Sequence, residues 1–288
     1  MAELTATPER TPLETRGLLA PYRETMSDSS GRRALSTFVG LALLCGGVAS
    51  AASVTDRVER SLALPERGAV EIENANGDVV LEVIAGSDVR IVADREARAG
   101  SRERATDLLG RMQLHAALSG EVVRVTVPEH RPESWLSWRK EEWVRADLRV
   151  GVPLAARVHL QSRNGDVSIL SSGRATVVKT VNGDILIREV RGERLEASSV
   201  NGDIAVRILQ LAAGSSLDLS SVNGDVKVVV PQSLHAAIDA RTVNGCVGSN
   251  VELADSRKTR SQLVGLVNGG GGQIRVRTTN GQVWVKGD

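Results

Sequence analysis

Asp166, Asp184, Asp203 and Asp225 are the residues whose type and spacing most suggest chemistry, because each follows an Asn-Gly pair and the pairs recur at near-constant intervals. A row of carboxylates can hold a cation or divide acid and base work between neighbours. Stacked on a repeated corner about 4.8 Å apart, like charges repel by about 0.9 kcal/mol per pair in bulk water, so they need compensation or solvent. Calcium would compensate them, but the nonapeptide calcium repeat spaces its glycines and aspartates differently. The last two corners, Asn244-Gly245-Cys246 and Asn280-Gly281-Gln282, replace the Asp altogether, which suits a turn role better than a ligand role. A β-helix lyase or hydrolase needs a local cluster of acids and bases on one face, and identical corner residues are not such a cluster. The aspartates are therefore expected to bond turn backbone, face solvent, or lie near Arg163 and Arg188.

The remaining candidates are few. His115, His130, His159 and His235 show no metal-ligand spacing, and there is no Gly-x-Ser-x-Gly elbow, Cys-x-x-Cys pair or phosphate loop. No catalytic residue, metal or cofactor is expected. The segment from Pro132 to Leu148 carries three of the four tryptophans, Trp135, Trp138 and Trp143, among Arg139, Lys140 and Arg145. Trp beside cationic side chains suits a glycan-stacking surface or a membrane interface. Glu141 and Glu142 argue against a strongly basic membrane helix. The leading reading is structural, with Trp filling a gap at the end of the fold. Ligand or membrane contact through Trp135, Trp138, Trp143, Arg139 and Lys140 is the alternative.

The elements that position these residues follow from the repeat. Asn-Gly-Asp occurs at Asn76-Gly77-Asp78, Asn164-Gly165-Asp166, Asn182-Gly183-Asp184, Asn201-Gly202-Asp203 and Asn223-Gly224-Asp225, and the two variants follow. Successive Asn positions from 164 to 244 are 18, 19, 22 and 21 residues apart, about one solenoid coil. Apolar residues alternate on both sides, as in Val158, Leu160 and then Val167, Ile169, and Ser or Thr stands two places before each of these Asn residues. Period-two alternation rich in β-branched residues means half-buried strands flanking a Gly that supplies positive φ. Asn-Gly is also a strong hairpin signal, so an antiparallel meander or sandwich satisfies the spacing as well. The Ser/Thr position favours an all-β solenoid. Facing inward, it would stack coil on coil and bond its neighbours and the corner backbone, a need hairpins lack. Residues 60–150 read as an N-terminal β region with inserts, and 151–288 as the repeat array, the two forming one continuous domain. Within the first, Ser101 to Met112 reads as a short capped amphipathic helix packed on the side or end of the solenoid.

Before this lies a polar leader, residues 1–30, whose start could equally be Met26, and an apolar run from Ala34 to Ala52 preceded by Arg32 and Arg33. With Ala49-Ser50-Ala51 as a cleavage site, residues 31–51 read as a signal peptide, and an uncleaved anchor is the alternative. Either way the body is expected outside the cytoplasm, in the periplasm or cell envelope. Only 2% of the chain is aromatic, and its one Phe (Phe38) and one Tyr (Tyr22) both precede that site. A net charge of +1 and the lack of stacking rings exclude nucleic acid as a partner.

The Val-Asn-Gly-Asp corners (Val181 to Ile185, Val200 to Ile204, Val222 to Val226), the opening Gly68 to Asn74, Val152-Pro153 and the closing Gly269 to Gly272 resemble the bacterial β-strand-repeat adhesin family, domain of unknown function 4097. The likeness covers about residues 60 to 287. It implies an exported, non-catalytic repeat domain for adhesin-like binding or scaffolding, with a link to envelope stress sensing, and it brings no catalytic residues. An envelope protein, a glycan or a membrane surface is the expected partner. A carbohydrate-active β-helix enzyme is the alternative function.

Overall fold

The strands on either side of each Asn-Gly corner do not pair with one another; they enter two different sheets, so the corner is a bend between sheets. The computed structural model describes residues 52–128 and 142–288, all within one unit of the chain. In chain order these form β1 (Ala52–Ala63), β2 (Ala69–Asn76), β3 (Val79–Ile84), β4 (Asp88–Ala99), α1 (Arg102–Arg111), β5 (His115–Ser119), β6 (Val122–Val127), β7 (Trp143–Pro153), β8 (Arg157–Asn164), β9 (Val167–Ile169) and β10 (Ala175–Asn182). There follow β11 (Ile185–Val190), β12 (Arg194–Asn201), β13 (Ile204–Ile208), β14 (Ser216–Asn223), β15 (Val226–Val230), β16 (Ala236–Asn244), β17 (Val247–Ser249), β18 (Ala254–Lys258), β19 (Gln262–Val267), β20 (Gly272–Asn280) and β21 (Val283–Gly287). One sheet runs β1-β4-β7-β3-β9-β11-β13-β15-β21-β17, the other β18-β19-β16-β20-β14-β12-β10-β8-β2-β6-β5.

Between coils the pairing is parallel and in register, Asn182 lying on Asn164 and on Asn201, and Asn201 on Asn223. The fold is the β-solenoid, and the antiparallel meander or sandwich is excluded. Antiparallel pairs occur only toward the two ends, where β1, β4, β5, β18 and β19 join. Inward positions such as Ile72, Leu160, Ile187 and Val228 are fully buried, and no aromatic side chain is among the buried residues described. Val, Ile and Leu in identical register fill the gap between the sheets, each adding about 1.5–3 kcal/mol on full burial.

Coil order departs from chain order. The coil of β20 and β21 is inserted between that of β14 and β15 and that of β16 and β17, so Asn280 sits between Asn223 and Asn244. A period suggests sequential stacking, but every coil carries the same register pattern and accepts any other as neighbour. Here β19 covers the far edge of β16 antiparallel, and the chain returns through β20 on the near edge. At the other end Asn76 lies directly on Asn164 although 88 positions separate them. The intervening chain builds one more coil without Asn-Gly: β6 runs parallel to β2, and β7 parallel to β3. Helix α1 packs on β1 and β4, burying Ala105, Leu108 and Leu109, with the Ser101 hydroxyl accepting from the Arg104 N–H at 3.2 Å. It occupies the solenoid end, as its sequence implied.

The reason for glycine at the corners is only partly the one expected. Gly165 and Gly183 have positive φ (141° and 155°), but Gly202, Gly224 and Gly245 do not fall in the left-handed range. What all share is contact: a Cβ on Gly183, Gly202 or Gly224 would stand 2.1 Å from the carbonyl oxygen of the preceding corner's glycine. Gly202→Ala should therefore destabilise the fold by about 3 kcal/mol or more, the upper range for overpacking. Gly110→Ala in α1, where nothing lies within 4 Å, should stabilise it by about 0.5–1 kcal/mol. Urea unfolding of the two variants checks the contrast.

Candidate functional site

Three hydrogen-bonded ladders run along the corner edge. In the first, each Asn side chain donates its Nδ2 to the Oδ1 of the Asn in the adjacent coil. Asn164 donates to Asn76 (2.8 Å), Asn182 to Asn164 (2.9 Å), Asn201 to Asn182 (2.9 Å), Asn223 to Asn201 (2.9 Å), Asn280 to Asn223 (2.7 Å) and Asn244 to Asn280 (2.8 Å). In the second, each carboxylate accepts the backbone N–H at the matching place one coil on. Asp78 accepts from Asp166 (3.0 Å), Asp166 from Asp184 (2.9 Å), Asp184 from Asp203 (2.8 Å), Asp203 from Asp225 (2.7 Å) and Asp225 from Gln282 (2.7 Å). The aspartates hold turn backbone, which is what the sequence suggested. Cys246 lies on the far side of Gln282, in the last corner of the row, and its free thiol is half-buried.

The third ladder is internal. Ser162, Thr180, Ser199, Ser221, Thr242 and Thr278 are all buried. Four of them donate to the glycine carbonyl of the adjacent corner: Ser199 to Gly183 (3.1 Å), Ser221 to Gly202 (3.0 Å), Thr278 to Gly224 (2.8 Å) and Thr242 to Gly281 (2.8 Å). Ser162 and Thr180 have no hydrogen-bond partner among the described residues. For Ser162 the corresponding carbonyl, Gly77 O, already accepts from Asn74 Nδ2 at 2.9 Å. For Thr180 nothing in the structure supplies a substitute.

The first corner closes these ladders with residues that carry no repeat signature. Asn74 replaces the inward Ser or Thr and also donates to the Ala146 carbonyl at 3.0 Å. Asp147 on β7 accepts the Asp78 N–H at 2.8 Å, standing where the carboxylate of an earlier coil would stand. Arg145 bridges the Asp147 and Asp78 carboxylates at 2.6 and 2.7 Å, and these bonds, that to Asp147 foremost, hold its guanidinium pKa above the ordinary value. Trp143 begins the same strand and remains 38% exposed, while its neighbour Glu142 forms a two-point pair with Arg104 of α1, the closer contact 3.2 Å. Asp147 and Asn74 were missed because a single strand position carries no period; only register with β3 and β2 reveals them. Trp135, Trp138, Arg139 and Lys140 lie outside the described residues.

One row was also underrated. Val181, Val200 and Val222, each just before a ladder Asn, are 41–43% exposed on three consecutive coils, and Val243 is 71% exposed two coils further on, past Thr279. Elsewhere, His159 contacts Gln161 (3.1 Å) and His235 contacts the Asn268 carbonyl (2.6 Å). Among the described residues no three His, Cys, Asp or Glu side chains converge as metal ligands, and no helix is long and apolar enough to cross a membrane.

Fold and site together define a two-sheet β-repeat protein whose corner residues are joined into ladders. The chain belongs to the Toastrack DUF4097 family, whose model matches residues 48–286. Among solved structures it is similar to a "putative cell adhesion protein" from Clostridium sporogenes, with 10% identity over 81% of this chain and 100% of that one, at a TM-score of 0.42. It is similar also to a "putative adhesin" from Bacteroides fragilis (12% identity, 81% and 97% covered, TM-score 0.32) and a "putative lipid binding protein" from Parabacteroides distasonis (8%, 81% and 97%, 0.23). No curated protein matches the chain at a significant level.

Within the ladder Asp203 has its pKa raised, first by burial and then by the charges of Asp184 and Asp225, against the lowering effect of the Asp225 N–H. A raised folded-state pKa stabilises the fold below the unfolded value of about 3.8, and that contribution is lost as pH rises through the folded value. Asp203→Asn keeps an acceptor for the Asp225 N–H without the charge. Thermal scans should show it melting above wild type at pH 7, with the difference gone below about pH 3. Asp203→Ala removes the charge and the acceptor together, so it should melt below Asp203→Asn at every pH.

Proposed function

We propose that the protein is an exported, non-enzymatic module of the cell envelope that works by adhesin-like binding or scaffolding, with service to an envelope-stress system as one setting for it. The observation that carries this reading is the exposed row of Val181, Val200 and Val222 beside the ladder. The Asn and Asp polar atoms are engaged in holding coil to coil, and strand propensity at the outward places would be met as well by the Thr that stands at 279, without apolar exposure. Monomeric proteins seldom expose aligned apolar side chains unless a partner covers them. A rigid corner carrying them presents a preorganised surface, which lowers the ordering cost of binding. Against an enzyme stand the carboxylates themselves, each accepting a backbone N–H in a uniform row rather than converging on one reacting point. Export rests on the basic-apolar-small pattern of residues 31–51.

In a bacterial host the full chain should fractionate with the envelope, and deletion of residues 31–51 should leave it in the cytoplasm. Purified protein should co-sediment with envelope fragments, and the triple change Val181→Lys, Val200→Lys, Val222→Lys should abolish this while the melting temperature holds. Polysaccharide turnover that disappears on changing an acidic residue would sink the reading.

A further inference from the structure

The amide ladder has a direction, and it ends in a donor. Every bond runs from Nδ2 to the Oδ1 of the coil nearer β7, so Asn76 gives its oxygen to Asn164 and keeps its own NH2. The orientation is supported at this end by a second contact: Asn164 Nδ2 lies 3.4 Å from the Ala75 carbonyl oxygen, which would repel an amide oxygen placed there. Asn76 Nδ2 donates to no group among the described residues. The residue is half-buried and its amide opens on solvent, so this donor is free for water or for an oxygen atom of a ligand.

That amide borders an open cleft of about 470 Å³, within the range of small-ligand sites, lined also by Asp78, Trp143, Arg145 and Asn164. Its charges are already matched: Arg145 lies between Asp78 and Asp147, and Glu142 is held by Arg104. The cleft thus offers no spare cation for a phosphate, and an anionic group would meet the Asp78 and Glu142 carboxylates. A metal ion would meet the Arg145 guanidinium. A hydrocarbon chain would leave an amide and carboxylates dry at a cost of a few kcal/mol. What remains on offer is an indole face, a neutral amide donor and spare carboxylate lone pairs. A ligand with an apolar face of C–H groups and an edge of hydroxyls uses all three.

We propose that the cleft at the first corner binds a neutral saccharide, one ring stacked on Trp143 and a hydroxyl or acetamido oxygen accepting from Asn76. The proposal rests on the reading of the protein as a binding module and names the ligand class for one end of its ladder. Fixed by ladder bonds on one side and by the Arg145 bridges on the other, the donors are in place before the ligand arrives.

The test is titration calorimetry of the processed chain with the neutral tetrasaccharides of N-acetylglucosamine, cellulose and starch, beside inorganic phosphate and phosphatidylglycerol vesicles. At least one tetrasaccharide should bind saturably and phosphate should not. Trp143→Ala should weaken that binding about tenfold, or about 1.4 kcal/mol, and Trp143→Phe less than about threefold. Asn76→Asp, which keeps the oxygen that Asn164 needs and removes the donor, should weaken it too. Trp284→Ala, at another exposed ring, should change nothing, and all four variants should melt as wild type does. Absence of binding to all three sugars overturns the proposal, as does binding indifferent to Trp143→Ala. Vesicle binding that Trp143→Ala abolishes, without sugar binding, would assign the cleft to membrane instead. Co-sedimentation of the same samples with envelope fragments separates the two ideas: if it persists without sugar binding, only the saccharide is wrong; if it too is missing, the binding-module reading falls as well.

Discussion

Stacking coils at strand spacing brings successive corners so close that no Cβ fits between one glycine and the carbonyl oxygen of the glycine one corner before it, and the rest of the molecule follows from that closeness. A side chain at the glycine would part the coils, since its first carbon would lie about 2 Å from backbone. With the corners so close, the Asn amides are in reach of one another, the Asp carboxylates in reach of the next N–H, and the buried Ser or Thr hydroxyls in reach of the glycine carbonyl. Each bond is individually modest, about 0.5–1.5 kcal/mol net for a neutral pair and more for a charged one. Repeated at every coil, they set one register, because a slip by a single residue would break all three ladders and turn the buried face outward.

A ladder of identical rungs must stop somewhere, and the two ends stop differently. At the β7 end, Asp147 and Asn74 close the carboxylate and hydroxyl ladders with other side chains, and the cleft lies where the amide ladder runs out. At the far end, β19 covers β16 antiparallel and β18 in turn covers β19, and Gln282 and Cys246 stand in place of aspartates. A carboxylate at position 246 would have no further coil to hold, so its loss there costs the ladder nothing. The parallel stack is closed off by antiparallel outer strands, β1, β5 and β18, or at β17 by a strand of only three residues, which limits coil-on-coil growth with other chains.

The proposed binding uses what the ladders leave over. The polar atoms of Asn and Asp are spent on the fold, so the surface they form is stiff rather than reactive. The exposed valines and the first-corner cleft are the features that the fold does not use for itself. In a β-helix enzyme, acids and bases depart from the repeat to meet at one place. Here the departures from the repeat, at Trp143, Arg145 and Asp147, are mostly paired among themselves and leave an aromatic face and an amide free.

Parallel coils, the inward Ser or Thr, the turn role of the aspartates and the helix starting after Ser101 were all legible in the chain, because each is set by local periodicity or by a residue's own chemistry. The exclusion of rings from the core was legible in composition, since a narrow coil repeated in register admits only Val, Ile, Leu and Ala in number. The placement of Asn280 between Asn223 and Asn244 was not legible. Nor was the pairing of Asn76 with Asn164 across 88 positions, the capping by Asp147, or the true reason for Gly202 and Gly224. These depend on which coil lies against which, and a repeat whose units are interchangeable carries no information on its own order. Only tertiary packing decides it, through the few non-repeating strands that cover each end.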